Sequence, residues 1–542
     1  MNADVMAAGL SSQFIESLTP GRIVILFILF SIASFIVDFT WHPRYPKSLP
    51  RLGSNDGYLG TIKNWFQYGT HFNDWVAEGT KKYGKHGRAF VVPAAPARPD
   101  EIVVPRSQTA WFLELPDRVL STKEAHRDAL FNDYQFFGED DQFPIQTIHK
   151  HLARNIISLL PALQDEIHGA IEATFANVTE EDWTSINLWE ALLGIIPRVT
   201  NSIIVGAPLC RNDEFLKNQV AFADDVVRNS FILMMIPSIF HPIVGPLVAL
   251  SNRLHWRRSY AVAQSTIEKR LQDMMRSDGC EPPEDMLTWL IRQAKLDNLT
   301  HELDPVKLSK RLLPVQFAAI HTTVITAHNL VLDLLTSDPS QHYLKIIHDE
   351  TSRAFREANG NWTKNSLTSL YRTDSAIKES MRLSHFATSL THRKVIAPEG
   401  VTNTVEGWHA PYGASLMIDL GNTHHDGDLY PNPDTFDAFR FSRIREEYES
   451  REQKDDPEEA MRIMRLGMVT TSDSYLPFSH GRHACPGRFF VAHELKMILA
   501  YLLNNFEIKP VAERPKPMWL GQTIIPPVQA NIEVKRRRKG GD

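Results

Sequence analysis

One stretch near the C-terminus constrains this chain more than any other: Ser474 to Leu495, reading S-Y-L-P-F-S-H-G-R-H-A-C-P-G-R-F-F-V-A-H-E-L. Its first half carries Pro477, Gly481, Pro486 and Gly487 too densely for a helix or a strand. Its second half turns helical, with Val491, Leu495, Ile498 and Leu502 at four-three-four spacing. Cys485 therefore stands where an irregular loop feeds a helix N-terminus, an electropositive position that favours thiolate over thiol. The local text leaves three readings open: a structural cysteine, a zinc site with His480, His483 and His493, or a thiolate ligand to another metal centre. The spacing of known zinc sites is not met, and no second cysteine lies nearby.

The other cysteines, Cys210 and Cys280, are too few and too scattered for a disulfide framework, which suits a reducing compartment. A net charge of −6 gives no reason to expect nucleic acid as a partner. At 542 residues the chain can bury a large core.

Ile23 to Val37 is apolar apart from Ser31 and Ser34, and the run reaches Trp41 by accepting Asp38 and Thr40. About 19 residues make ~28 Å of helix, enough to cross a bilayer core. The run predicts a transmembrane anchor over 23–41, with 1–22 lumenal and a proline-rich hinge over 42–53; a signal peptide is the competing reading. Arg44, Lys47 and Arg51 follow the span directly and place the rest of the chain in the cytosol. On that topology the sequons at Asn177, Asn298 and Asn361 stay bare.

Between 53 and 105, Ala89-Phe-Val-Val-Pro and Glu101-Ile-Val-Val-Pro read as short strands. From Thr122 to Leu335 helical periodicity dominates. Within it the almost charge-free patch 232–250 is either buried core or a membrane-dipping loop over an apolar access route. Asp304-Pro305 announces a long helix to about Leu335, with Pro314 causing at most a kink. Its middle reads F-A-A-I-H-T-T-V-I-T-A-H; Thr322 and Thr323 can bond back to the preceding turn, and His321 can be a satisfied core histidine. Glu379 and Arg382 share a helix face. Thr391 to Ile396 and Ala414 to Leu420 read as strands, 430–441 as an aromatic loop around Arg440, 446–459 as an exposed insertion and 535–542 as a solvated end.

Singly these signals are weak, but together they resemble one family. Phe478-x-x-Gly481-x-x-x-Cys485-x-Gly487 resembles the haem-thiolate loop of the cytochrome P-450 family. Glu379-x-x-Arg382 resembles that family's K-helix motif, Phe436-Asp-Ala-Phe-Arg440-Phe its aromatic-arginine loop, and Ala318-Ala-Ile-His-Thr322-Thr the oxygen-activating part of its long I helix. The resemblance implies a mainly α fold with a small β-rich region, the haem-thiolate monooxygenase domain over 54–538, and a tail over 539–542. It implies haem b with Cys485 as axial ligand, whose thiolate donates electron density and favours O–O cleavage. Phe478 would exclude water beside the sulfur, and Gly481 and Gly487 would let the backbone approach the macrocycle. Glu379, Arg382 and Arg440 would form a buried ionic cluster behind it. Arg154, Arg393 and His483 would serve the two propionates.

Three positions depart from the family's usual pattern. His483 stands where arginine is usual, Lys150 where a tryptophan often precedes the C-helix arginine, and His321 where an acid usually precedes the threonine. Thr322 would supply the hydroxyl for proton delivery and His321 the replenishing donor. No reductase domain fits in this length and no G-x-G-x-x-G segment follows a strand, so NADPH-derived electrons would come from a separate membrane-bound flavoprotein reductase, with cytochrome b5 as a further candidate donor. The resemblance is to fungal microsomal secondary-metabolite members and implies a single-pass protein of the endoplasmic reticulum. Its substrate would be a large apolar molecule, a terpenoid or indole-diterpenoid first, with polyketide or alkaloid oxidation, or a haem-thiolate isomerase or dehydratase, as alternatives.

Overall fold

The computed structural model describes residues 45–54, 57–138, 142–276, 282–451 and 456–538, together with Gly21 and Ile32. The expected anchor over 23–41, the stretch before it, Cys280 and the tail 539–542 lie outside these residues but for those two. In the expected hinge, Tyr45, Leu49 and Leu52 are buried, and the Val91 N–H donates to the Pro50 carbonyl at 2.9 Å. That segment is docked on the sheet.

The sheet is built from β1 (Phe90–Val92), β2 (Glu101–Val104), β3 (Leu120–Ser121), β4 (His392–Val395) and β5 (Ser415–Ile418), in spatial order β1-β2-β5-β4-β3. Strands β2 and β5, far apart in sequence, run parallel with Glu101 beside Ser415; the other pairings are antiparallel. Both are buried on each face, which is why they read as continuous apolar runs rather than alternating ones.

The helices that position the site are α1 (Tyr58–Lys82), α2 (Thr122–Leu130), α3 (Phe143–Thr174), α4 (Leu188–Ile204), α5 (Asp213–Met234), α6 (His241–Val248), α7 (Leu250–Met275), α8 (Pro305–Leu335), α9 (Tyr371–Leu383), α10 (Arg440–Glu449) and α11 (Arg488–Asn505). Helix α8 begins where the sequence places it: the Asp304 carboxylate accepts the Lys307 N–H at 2.8 Å, with Pro305 at the first position. Pro314 lies inside it. From Thr326 to Leu335 every residue of α8 is buried, so this half runs through the core, flanked by α4, α9 and α11. Among the described residues α8 alone is long and apolar enough to cross a membrane, and its burial marks it as the core helix of the domain.

Two expectations are corrected here. Patch 232–250 is not buried core: α5 ends at Met234, α6 and α7 follow, and Ile232, Ile239, Ile243, Leu247 and Leu250 are exposed while Leu233 and Ala249 turn inward. Nor is 535–542 wholly a solvated end. The strand Asn531–Arg536 pairs with Thr184–Asn187 and Phe506–Ile508, and Arg536 pairs with Glu172 at 3.0 Å, because alternation of Ile532 and Val534 seals the core edge.

Candidate active site

The cysteine loop closes on itself. The Cys485 N–H donates to the Phe478 carbonyl at 2.9 Å, and Arg488 Nη1 donates to the Cys485 carbonyl at 2.7 Å. Phe478 is buried. Gly481 takes φ +75°, a left-handed turn in which a side chain would be strained and would press on Leu113 at 3.4 Å. Gly487 caps α11, and a Cβ there would stand 3.8 Å from the Cys485 sulfur, in the space beside it. Burial pushes the thiol pKa up, outweighing the N–H of Gly487, the charge of Arg488 and the N–H of Arg488, which pull it down. Burial thus opposes the anion that the helix N-terminus favours.

Behind this loop, α9 brings Glu379 and Arg382 into a cluster with Arg440. Arg382 Nε and Nη2 each donate to the Glu379 carboxylate at 2.8 Å, and Arg440 Nε donates to it at 3.0 Å. Arg382 Nη1 reaches the carbonyls of His424 at 2.5 Å and Pro433 at 2.7 Å, while Arg440 holds those of Pro431, Asn432 and Thr435. Glu379 and Arg382 are both 0% exposed, so the pair that reads in sequence as an ordinary helix-surface contact is the centre of a buried knot.

Basic side chains gather around Arg482 and His483 of the loop. Arg393, on β4, is 3% exposed and donates only to the neighbouring His392 carbonyl, at 2.8 Å; among the described residues no carboxylate pairs with it. Burial pushes its pKa down to about 10. His483 Nε2 bonds Asp117 at 2.7 Å, and Arg482 shares the same carboxylate at 3.3 Å. Burial lowers the pKa of His483, with its bond to Asp117 opposing. His126 on α2 joins them: burial first, then the charges of His392, Arg393 and His483, push its pKa down to about 4. Yet His126 and Cys485 keep accessible surface. Desolvated but reachable side chains are those on the wall of an internal space. Arg154 stands exposed on α3, where its charge acts on His151; the charges acting on Arg393 come from Asp117 and Arg482, and those acting on His483 from Arg393, Asp117 and Arg482.

On α8, Ala318, Thr322 and Ile325 at four-three spacing escape the burial that covers most of the helix around them. The Thr322 hydroxyl donates to the Ala318 carbonyl at 2.6 Å, leaving its lone pairs to accept. His321 is no satisfied core histidine: Nε2 bonds Asp224 on α5 at 2.7 Å, and Nδ1 is buried without a partner.

The family model described as Cytochrome P-450 matches residues 105–534. The chain belongs to the cytochrome P-450 family. It is 30% identical over 540 residues to the cytochrome P-450 monooxygenase gloP of Glarea lozoyensis, covering 96% of this chain and 97% of that one. It is 29% identical over 527 residues to polB of Polytolypa hystricis (95% and 98%) and 28% identical over 545 residues to pbrC of Penicillium brasilianum (98% and 99%), both cytochrome P-450 monooxygenases. This protein is accordingly a P-450 monooxygenase, a family whose iron is held in haem by a cysteine thiolate.

The residues present fit that group. A buried guanidinium without a carboxylate is costly, and a dianionic ligand would remove the cost. Arg393 and Arg482 supply the cations beside the Cys485 loop, His126 and His483 can add neutral N–H donors, and Gly487 leaves the sulfur's flank clear. No zinc site competes: His480 is bonded to Thr471, His483 to Asp117, and among the described residues no three His, Cys, Asp or Glu side chains converge on a metal position. Sequence reasoning missed His126, Asp117 and Asp224. None belongs to a local motif; each is brought in by a separate segment.

Proposed function

We infer that this P-450 monooxygenase inserts one atom of O2 into a large apolar secondary metabolite, with a terpenoid or indole-diterpenoid as the favoured class. NADPH-derived electrons would reach it through a separate flavoprotein reductase docking on the face nearest Cys485. The observation that carries the reading is the half-buried Cys485 thiol on a loop whose Arg482 and His483 act electrostatically with the buried Arg393, which no carboxylate pairs with among the described residues. Cys485 would ligate haem iron, with Arg393, His483 and the newly found His126 facing the propionates, and the bound group would supply the O–O cleaving chemistry. Phe478 keeps water from the sulfur, and the Glu379–Arg382–Arg440 knot holds the loop in register. Thr322 positions a hydroxyl on the accessible stripe of α8 and passes on a proton supplied through His321. Arg154, exposed on α3, is the least supported of the propionate partners.

The exposed apolar residues of 232–250 suit contact with a membrane surface and entry of a greasy substrate, in line with an endoplasmic reticulum anchor over 23–41 and a cytosolic domain over 54–538. Expression with an NADPH-dependent reductase and a panel of terpenoid scaffolds tests the substrate class; oxygenated product from polyketides or alkaloids alone overturns it. On the identified substrate, Thr322→Ala is expected to lower product formed per NADPH several-fold, with peroxide making up the difference. An unchanged ratio rules this role out.

A further inference from the structure

The pairing across α5 and α8 carries an assignment that no local motif contains. We propose that Asp224 is the positioning residue that makes His321 the proton donor beside Thr322, a carboxylate–imidazole pair standing where the family's usual acid is missing. This rests on the oxygen-activating role inferred above for Thr322.

The two ring nitrogens of His321 meet opposite surroundings. Nε2 lies 2.7 Å from Asp224 Oδ1, whose side chain is 61% exposed, so one end of the pair is open to solvent. The imidazole itself is 11% exposed, and its Nδ1 is buried with no hydrogen-bond partner. A buried ring nitrogen left unpaired is costly and calls for an explanation. Next along the helix is Thr322, on the accessible stripe with Ala318 and Ile325, and its hydroxyl oxygen is free to accept. The imidazole thus spans the layer between solvent and the interior.

A carboxylate on one ring nitrogen fixes the orientation of the ring and stabilises the imidazolium that forms. Nε2–H is held on Asp224, so the proton available to the interior is the one on Nδ1. Releasing it leaves a neutral ring with Nε2–H still on the carboxylate; a ring flip between turnovers then brings the bare nitrogen to the Asp224 side, where a solvent proton restores the cation. An aspartate on α8 could hold its own orientation; a histidine needs a second helix to do so. Asp224 is on α5, which packs across α8, so the donor is set only when those two helices are together.

The test uses the intact holoenzyme. In the reduced, CO-bound and therefore diamagnetic protein, ring 15N resonances of His321 are assigned by their loss in His321→Gln. Asp224→Asn is expected to shift the Nε2 resonance and Asp224→Glu to restore it; a resonance indifferent to Asp224→Asn overturns the proposal. On the substrate found by the panel, Asp224→Asn should lower product per NADPH several-fold, as His321→Gln does, and Asp224→Glu should recover at least half. Because Asp224 is exposed, the variants should melt with the parent. Wild-type coupling in Asp224→Asn, with Thr322→Ala uncoupled, refutes this assignment alone. Wild-type coupling in Thr322→Ala refutes the underlying role of the hydroxyl instead.

Discussion

Replacing Cys485 by alanine is expected to abolish the red-shifted band that the dithionite-reduced protein gives under CO, and to take product formation to background. The band would report a cysteine thiolate held on haem iron, and among the described residues nothing near the loop is placed to substitute for the sulfur. His480 is held by Thr471 at 2.8 Å and His483 by Asp117 at 2.7 Å, and Cys210 lies buried in the core. Without a metal, burial disfavours the thiolate and raises the pKa of the thiol. A bound metal reverses that balance by deprotonating a coordinating thiol outright. The fold should survive, because the substitution leaves the backbone N–H at this position free to keep its bond to the Phe478 carbonyl. Far-ultraviolet circular dichroism should therefore match the parent while the band is gone. A band that persists in the variant would mean that another residue is the ligand.

Glu379→Ala should have the second-largest effect, on folding and haem loading rather than on the chemistry. The substitution removes the acceptor of two Arg382 bonds and one Arg440 bond and leaves Arg382, at 0% exposure, holding only backbone carbonyls. Breaking one side of a buried ion pair costs about 3–5 kcal/mol. Against a net stability of roughly 5–15 kcal/mol that is a large share, and the expected yield of haem-loaded protein is small. Glu449→Ala provides the contrast. It removes a surface partner of Arg445, 3.0 Å away, and should cost under about 1 kcal/mol. Equal haem content and melting temperature in Glu379→Ala and the parent would contradict the buried-knot reading.

The residues legible in the sequence are those whose function is written in local spacing. Cys485 is readable because glycine and proline break the chain before a helical repeat begins. Helix α8 is readable because an aspartate cap and a proline start it and an apolar run sustains it. Glu379 and Arg382 are readable as a pair on one helix face, but not as buried, since a three-residue spacing looks the same in solvent and in a core.

The sequence by itself determined the position of the candidate thiolate and the long helix α8, since each depends on residues within one or two turns of one another, and the family of this chain, since its short motifs recur in a fixed order along the chain. Only the tertiary structure decided what surrounds them. Asp117 meets His483 across 366 positions and Asp224 meets His321 across 97, and no periodicity encodes a partner at such distances. The tertiary structure also decided how far the sulfur is desolvated: a helix N-terminus favours the anion, packing removes the water that would stabilise it, and a bound metal is what tips the balance back.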